Sequence, residues 1–103
     1  PVSVAAPINK NCLHLVLSHQ QRALENCLSV FIDGDTLLFL DAGVLHLPAL
    51  AVDAAETLEA IFMAADLQAR GLLDAADACG LSVINDEDFA DLLARHDHCL
   101  SWK

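Results

Sequence analysis

The feature that most constrains this chain is the run Thr36 to Leu40, set between Asp33-Gly34-Asp35 and Asp41-Ala42-Gly43. The run is β-prone, too short for a helix and apolar at successive positions. A strand apolar on both faces is buried on both faces, as in a parallel α/β sheet. Upstream, Ala23, Leu24, Cys27, Leu28 and Phe31 recur at helical spacing. Asp33-Gly34-Asp35 breaks that helix, because Gly accepts the left-handed conformation and Asp favours turns. Asp41-Ala42-Gly43 closes the strand at the edge where α/β proteins place their sites. The unit reads helix, tight turn, central strand, open end. The rest of the chain must cover that strand.

The remaining segments supply the cover. Pro1 to Asn11 reads as a loose leader, and residues 12–103 as a single domain. Cys12 to Leu17 is the first strand, with His14 inside it. Ser18 is the expected N-cap of the helix Gln20 to Phe31. Between Gly43 and Leu50, Pro48 excludes a long helix and leaves a short helical turn over the sheet. Val52 to Leu58 reads as helical, and Ala60 to Ala64 as the third strand. Asp66 is expected to cap a helix from Leu67 that Gly71 interrupts; Leu72 to Cys79 resumes it, with Leu73 and Ala76 inward and Gly80 as the stop. Leu81 to Ile84 is the fourth strand. Asn85 to Asp88 opens a last helix, with acids at its positive end and Phe89, Leu92 and Leu93 as its buried stripe. Cys99 to Trp102 is a final strand or extended tail. Strands alternating with helices predict a small three-layer α/β domain, a mostly parallel sheet of four to five strands flanked by helices.

Charge and composition narrow the function. The 103 residues carry 15 acidic against 5 basic side chains, a formal charge of −10 that repels phosphate backbones and argues against direct nucleic-acid binding. No stretch approaches the ~18 uninterrupted apolar residues of a membrane span. The segment before Asn9 lacks the charged start of a signal peptide, so the expected location is the cytoplasm. A hydrophobic fraction of 55% is high for so small a domain, and part of it is expected to be buried against partner subunits or a second copy. Trp102 is expected to pack its ring and find a partner for its indole N–H.

Cys12, Cys27, Cys79 and Cys99 form no C-x-x-C pair, which argues against a zinc ribbon or a thioredoxin motif. Cys27 has two readings. It is a small hydrophobe between Ala23 and Phe31, or it is a reactive thiol, for which the middle of a helix offers no acidifying environment. His96-x-His98-Cys99 lacks the second ligand pair of a zinc site. His14 reads as a core histidine satisfied by one hydrogen bond, and His46 as a surface residue. Asp41 reads as a strand end, Asp86 and Asp88 as a helix start. No nucleotide-phosphate loop or serine elbow is present. No metal or organic cofactor is called for.

Several stretches together resemble one family. Leu13-His14 followed by Ser18 is similar to the opening of the TusB/DsrH sulfur-relay proteins. Cys27, Asp33-Gly34-Asp35 and Leu37-Leu38-Phe39-Leu40-Asp41-Ala42-Gly43-Val44 resemble its C-L…G-D-x-L-L-x-x-D-G-V stretch, with an extra Ala42. Asp66 to Leu72 looks like its D-L-x-A-R-G-L segment, and Val83 to Leu92 with His96-Asp97…Ser101-Trp102 like its final block. Residues 43–59 match little.

The resemblance implies a DsrE-like fold in a cytoplasmic complex that passes persulfide sulfur between cysteines. It implies related DsrE-like and DsrF-like (TusD-like and TusC-like) subunits in a heterohexamer, and a downstream sulfur-acceptor protein. One branch of the family serves sulfur oxidation and the other 2-thiouridine in tRNA; a cysteine at the Cys27 position resembles the first. The resemblance makes Cys27 the candidate catalytic residue, because a persulfide moves when an acceptor thiolate attacks its outer sulfur. The alternative is a non-catalytic scaffold subunit in which Cys27 only packs.

Overall fold

Thr36–Phe39 is the middle of the five strands among the described residues. In a computed structural model that describes residues 12–32, 34–47, 60–78 and 80–103, the strands are β1 (Cys12–Val16), β2 (Thr36–Phe39), β3 (Ala60–Met63), β4 (Ser82–Ile84) and β5 (His98–Trp102). They lie in the order β4-β3-β2-β1-β5, every neighbouring pair parallel. The helices are α1 (Gln21–Val30), a 3-10 turn (Asp41–His46), α2 (Ala64–Ala69), α3 (Leu73–Ala78) and α4 (Asp86–Arg95). The domain is α/β and three-layered, as its alternation of strands and helices predicts.

The period-2 geometry of β2 sorts the core. Leu37 and Phe39 face a layer that includes Val16, Leu24, Cys27, Val44, Phe62, Leu67 and Ala76, contributed by α1, the 3-10 turn, α2 and α3. Leu38 faces the opposite layer, with Leu13, Leu15, Met63 and, from α4, Leu92. Leu37, Leu38 and Phe39 are all fully buried. Phe39 and Phe62 stack with centroids 4.9 Å apart, adding about 1 kcal/mol beyond the burial itself.

The helix ends depart from expectation in informative ways. Ser18 is not the cap of α1: Gln20 holds that position, and the Ser18 hydroxyl instead accepts the Gln20 N–H at 3.1 Å. At the other end Phe31 leaves the helix in an extended conformation before the turn at Gly34. Asp66 does not cap a helix from Leu67, because α2 begins at Ala64, directly after β3. Its carboxylate sits in the first turn and accepts the Asp41 N–H at 2.8 Å. Leu93 is 41% exposed, whereas Leu92 is buried and Phe89 packs beside it, so the inward stripe of α4 is narrower than expected. The leader, the helix expected at Val52 to Leu58 and Cys79 lie outside the described residues.

The start of α4 is as expected. The Asn85 side chain accepts the Asp88 N–H at 2.9 Å, and the Asp88 carboxylate accepts the Asn85 N–H at 3.4 Å, a reciprocal capping box. Replacing Asn85 with Ala should lower stability by about 1 kcal/mol. Urea unfolding would show this as a lower midpoint at unchanged slope; an unchanged midpoint would mean that water caps the helix equally well.

Candidate functional site

Cys27 lies on the inner face of α1, with Ala23 and Leu24, and is 0% exposed. Burial, then the nearby charges of Cys12 and Asp35, push its thiol up to about 12. At neutral pH it is a thiol, not a thiolate, and thiol exchange needs the thiolate. The helical spacing that puts Cys27 in the core is the same spacing that identified the helix.

Below it is a polar group that sequence reasoning met only in pieces. His14 stands on β1 facing α1, and is 1% exposed. Its Nδ1 accepts the Trp102 indole N–H at 3.1 Å, so Nε2 carries the ring proton and donates to Asp35 Oδ2 at 2.9 Å. His14 therefore makes two hydrogen bonds rather than the single one expected. The ring also stacks on Trp102 and lies against Phe31, with centroids 6.1 Å and 5.2 Å away. Trp102 packs as expected, and its indole finds a partner.

Asp35 is more than a turn former. It accepts the Cys12 N–H at 2.9 Å and the Ile32 N–H at 3.2 Å in addition to His14. Burial works against its charge, but the hydrogen bonds from Cys12, His14 and Ile32 outweigh it and hold the carboxyl below its ordinary value. The register explains the meeting: Leu13 stands opposite Thr36, which puts Asp35 beside Cys12, on the same face as His14. Nothing local in the sequence signals this meeting, because the register that aligns the two strands belongs to the folded sheet.

Both ring nitrogens of His14 are committed, so it has no free lone pair to take a proton from Cys27. Cys12 is half-buried, with its thiol raised first by burial and then by Asp35; Cys99 on β5 is exposed and raised by partial burial.

The other candidates are structural. His46 is not a surface residue: it is buried, and its Nε2–H donates to the Ser18 carbonyl at 2.8 Å. His96 donates from Nδ1 to the Leu92 carbonyl at 2.7 Å and bonds the Thr36 hydroxyl through Nε2 at 3.0 Å, away from exposed His98 and Cys99. Among the described residues no group of three or more His, Cys, Asp or Glu is placed to hold a metal ion. At the end of β2, Asp41 has φ 53° and meets Arg70 at 3.5 Å, an exposed pair worth well under about 1 kcal/mol. No helix among the described residues is long and apolar enough to cross a membrane.

Fold and site together define a small parallel α/β domain that keeps a cysteine in its core beside a Trp–His–Asp chain. Residues 18–99 match the family of DsrH-like proteins, and the chain belongs to that family, which is tied to sulfur relay. The matched span contains Cys27 and Asp35; His14 and Trp102 flank it. A search of curated proteins finds no match.

Proposed function

We propose that the chain is a subunit of a sulfur-relay assembly of the DsrH-like, sulfur-oxidation kind, working with related DsrE-like and DsrF-like subunits. In this reading Cys27 packs in the free subunit, and the persulfide travels on cysteines elsewhere in the assembly. The family supports the relay, and the packing role is supported by the environment of Cys27: no exposed surface, and a thiol pushed up to about 12. A carrier needs a thiolate that a donor's outer sulfur can reach. The high apolar fraction of so short a chain supports partner subunits as the cover for what remains outside.

The test is intact-mass spectrometry after incubation with glutathione persulfide, for wild type and Cys27→Ala, alone and with the partner subunits. One added sulfur raises a thiol's mass by about 32 daltons. The expected result is the same uptake in wild type and variant, with relay through the complete assembly unaffected and stability lowered by about 1 kcal/mol. A 32-dalton gain mapped to Cys27 and missing from the variant would make Cys27 the carrier. Equal relay by an assembly lacking this subunit would remove the functional assignment altogether.

A further inference from the structure

Strand β5 has an unusual attachment. It borders the sheet and pairs only with β1 among the described strands. His98, Cys99, Leu100 and Ser101 are exposed, and Trp102 alone is partly buried. Backbone pairing continues to the Leu17 N–H, which donates to the Trp102 carbonyl at 2.9 Å. The side-chain anchor is the Trp102 indole N–H on His14 Nδ1. An acceptor nitrogen must be unprotonated. The anchor therefore exists for one protonation state of one ring.

We infer that β5 is a pH-sensitive latch: neutral His14 holds it on the edge of the sheet, and protonated His14 releases it while the rest of the domain stays folded. The added proton goes to Nδ1, where it meets the indole N–H, turning a hydrogen bond into two opposed donors inside a site closed to water. The groups facing the ring decide what survives. From the turn before β2 comes the Asp35 carboxylate, which keeps its bond to Nε2–H and gains an opposite charge. From β1 comes Cys12, two residues back on the same face, and from just past the end of α1 comes the Phe31 ring; Cys27 on α1 lies near Cys12 and Asp35 and is a neutral thiol. From β5 come Trp102 and Leu100, the latter in register with His14. The bond from Nε2–H to Asp35, and with it the junction of β1 with β2, is present with or without the proton on Nδ1. The loss falls on β5. Because Trp102 packs against the core cluster of α1, β2 and β3, opening the strand uncovers the edge of that cluster. The inference rests on hydrogen-bond geometry and stands apart from the sulfur-relay reading.

The chain offers its own probe, since Trp102 is its sole tryptophan and it has no tyrosine. The full chain would be titrated from pH 8 to pH 5, following tryptophan emission and amide hydrogen-exchange protection factors. The expected result is a red shift accompanied by a tenfold or greater loss of protection at 98–102, with protection at 36–39 retained. Trp102→Phe keeps a ring and loses the N–H, and should show weak β5 protection at every pH with no transition. His14→Gln, which keeps an acceptor that does not titrate, should abolish the transition; should it fail to fold, the wild type and Trp102→Phe still decide. Protection at 98–102 that follows 36–39 throughout, or the same transition in Trp102→Phe, would overturn the latch.

Discussion

Replacing Gly43 with alanine is expected to cost this protein most of its stability. The side chain of an alanine there would place Cβ 1.9 Å from the Val16 carbonyl oxygen and 2.7 Å from its carbon. Both are backbone atoms of β1, so no rotamer change relieves the clash. The same oxygen accepts the Leu40 N–H at 3.2 Å, and Leu40 in turn accepts the Gly43 N–H at 2.9 Å. Moving Val16 away breaks the hydrogen-bonded corner where β1, β2 and the 3-10 turn meet. Overpacking of this kind costs roughly 3 kcal/mol or more before the broken bonds are counted. A domain of this size has roughly 5–15 kcal/mol in total. Gly71→Ala is the control. A Cβ added to that glycine would meet nothing within 4 Å, and its φ is 69°, so only the backbone strain applies, about 1–2 kcal/mol. Urea unfolding of the two variants decides. Equal losses would mean that the β1 corner yields readily, and that Gly43 is not what sets the approach of the 3-10 turn.

The contrast shows what a sequence can and cannot disclose. The β2 strand was legible because burial on both faces leaves a local mark, apolar residues at every position from Leu37 to Phe39. The helix start at Asn85 to Asp88 was legible for the same reason, since the groups that cap it lie three residues apart. Cys27 was half legible: helical spacing placed it on the inner face, but nothing local gave the depth of burial. The misreadings share one physical cause. His46 looked exposed because its neighbours say nothing of a carbonyl 28 residues earlier, which accepts its proton. Asp66 looked like a cap because the abrupt passage from β3 into α2 is set by the sheet, not by its own side chain. The Trp102–His14–Asp35 chain joins residues 88 and 21 positions apart. No periodicity reports such a meeting. It follows from parallel register, which becomes known only when the strand order is known.

Asp35→Ala is the second substitution expected to be severe, and it tests whether that chain holds the fold. The change removes the acceptor for three donors at once: the Cys12 N–H, the Ile32 N–H and His14 Nε2–H. Each buried donor left without a partner costs about 1–3 kcal/mol, and breaking a buried charged group's set of bonds costs roughly 3–5 kcal/mol as a whole. Asp35→Asn keeps an acceptor oxygen for the backbone and should cost less. The pH dependence separates charge from shape. The folded state holds the Asp35 carboxyl below its ordinary value, so its protons bind more tightly to the unfolded chain. This stabilisation is fully present above the unfolded value, about 3.9. It is lost as the pH falls from there through the lower folded value. Urea midpoints of wild type and Asp35→Asn, measured from pH 7 to pH 3, should therefore stay apart above about pH 4 and draw together as the pH falls below it. A gap that stays constant with pH would show that Asp35 contributes through its shape and its bonds alone, with its charge adding nothing to stability.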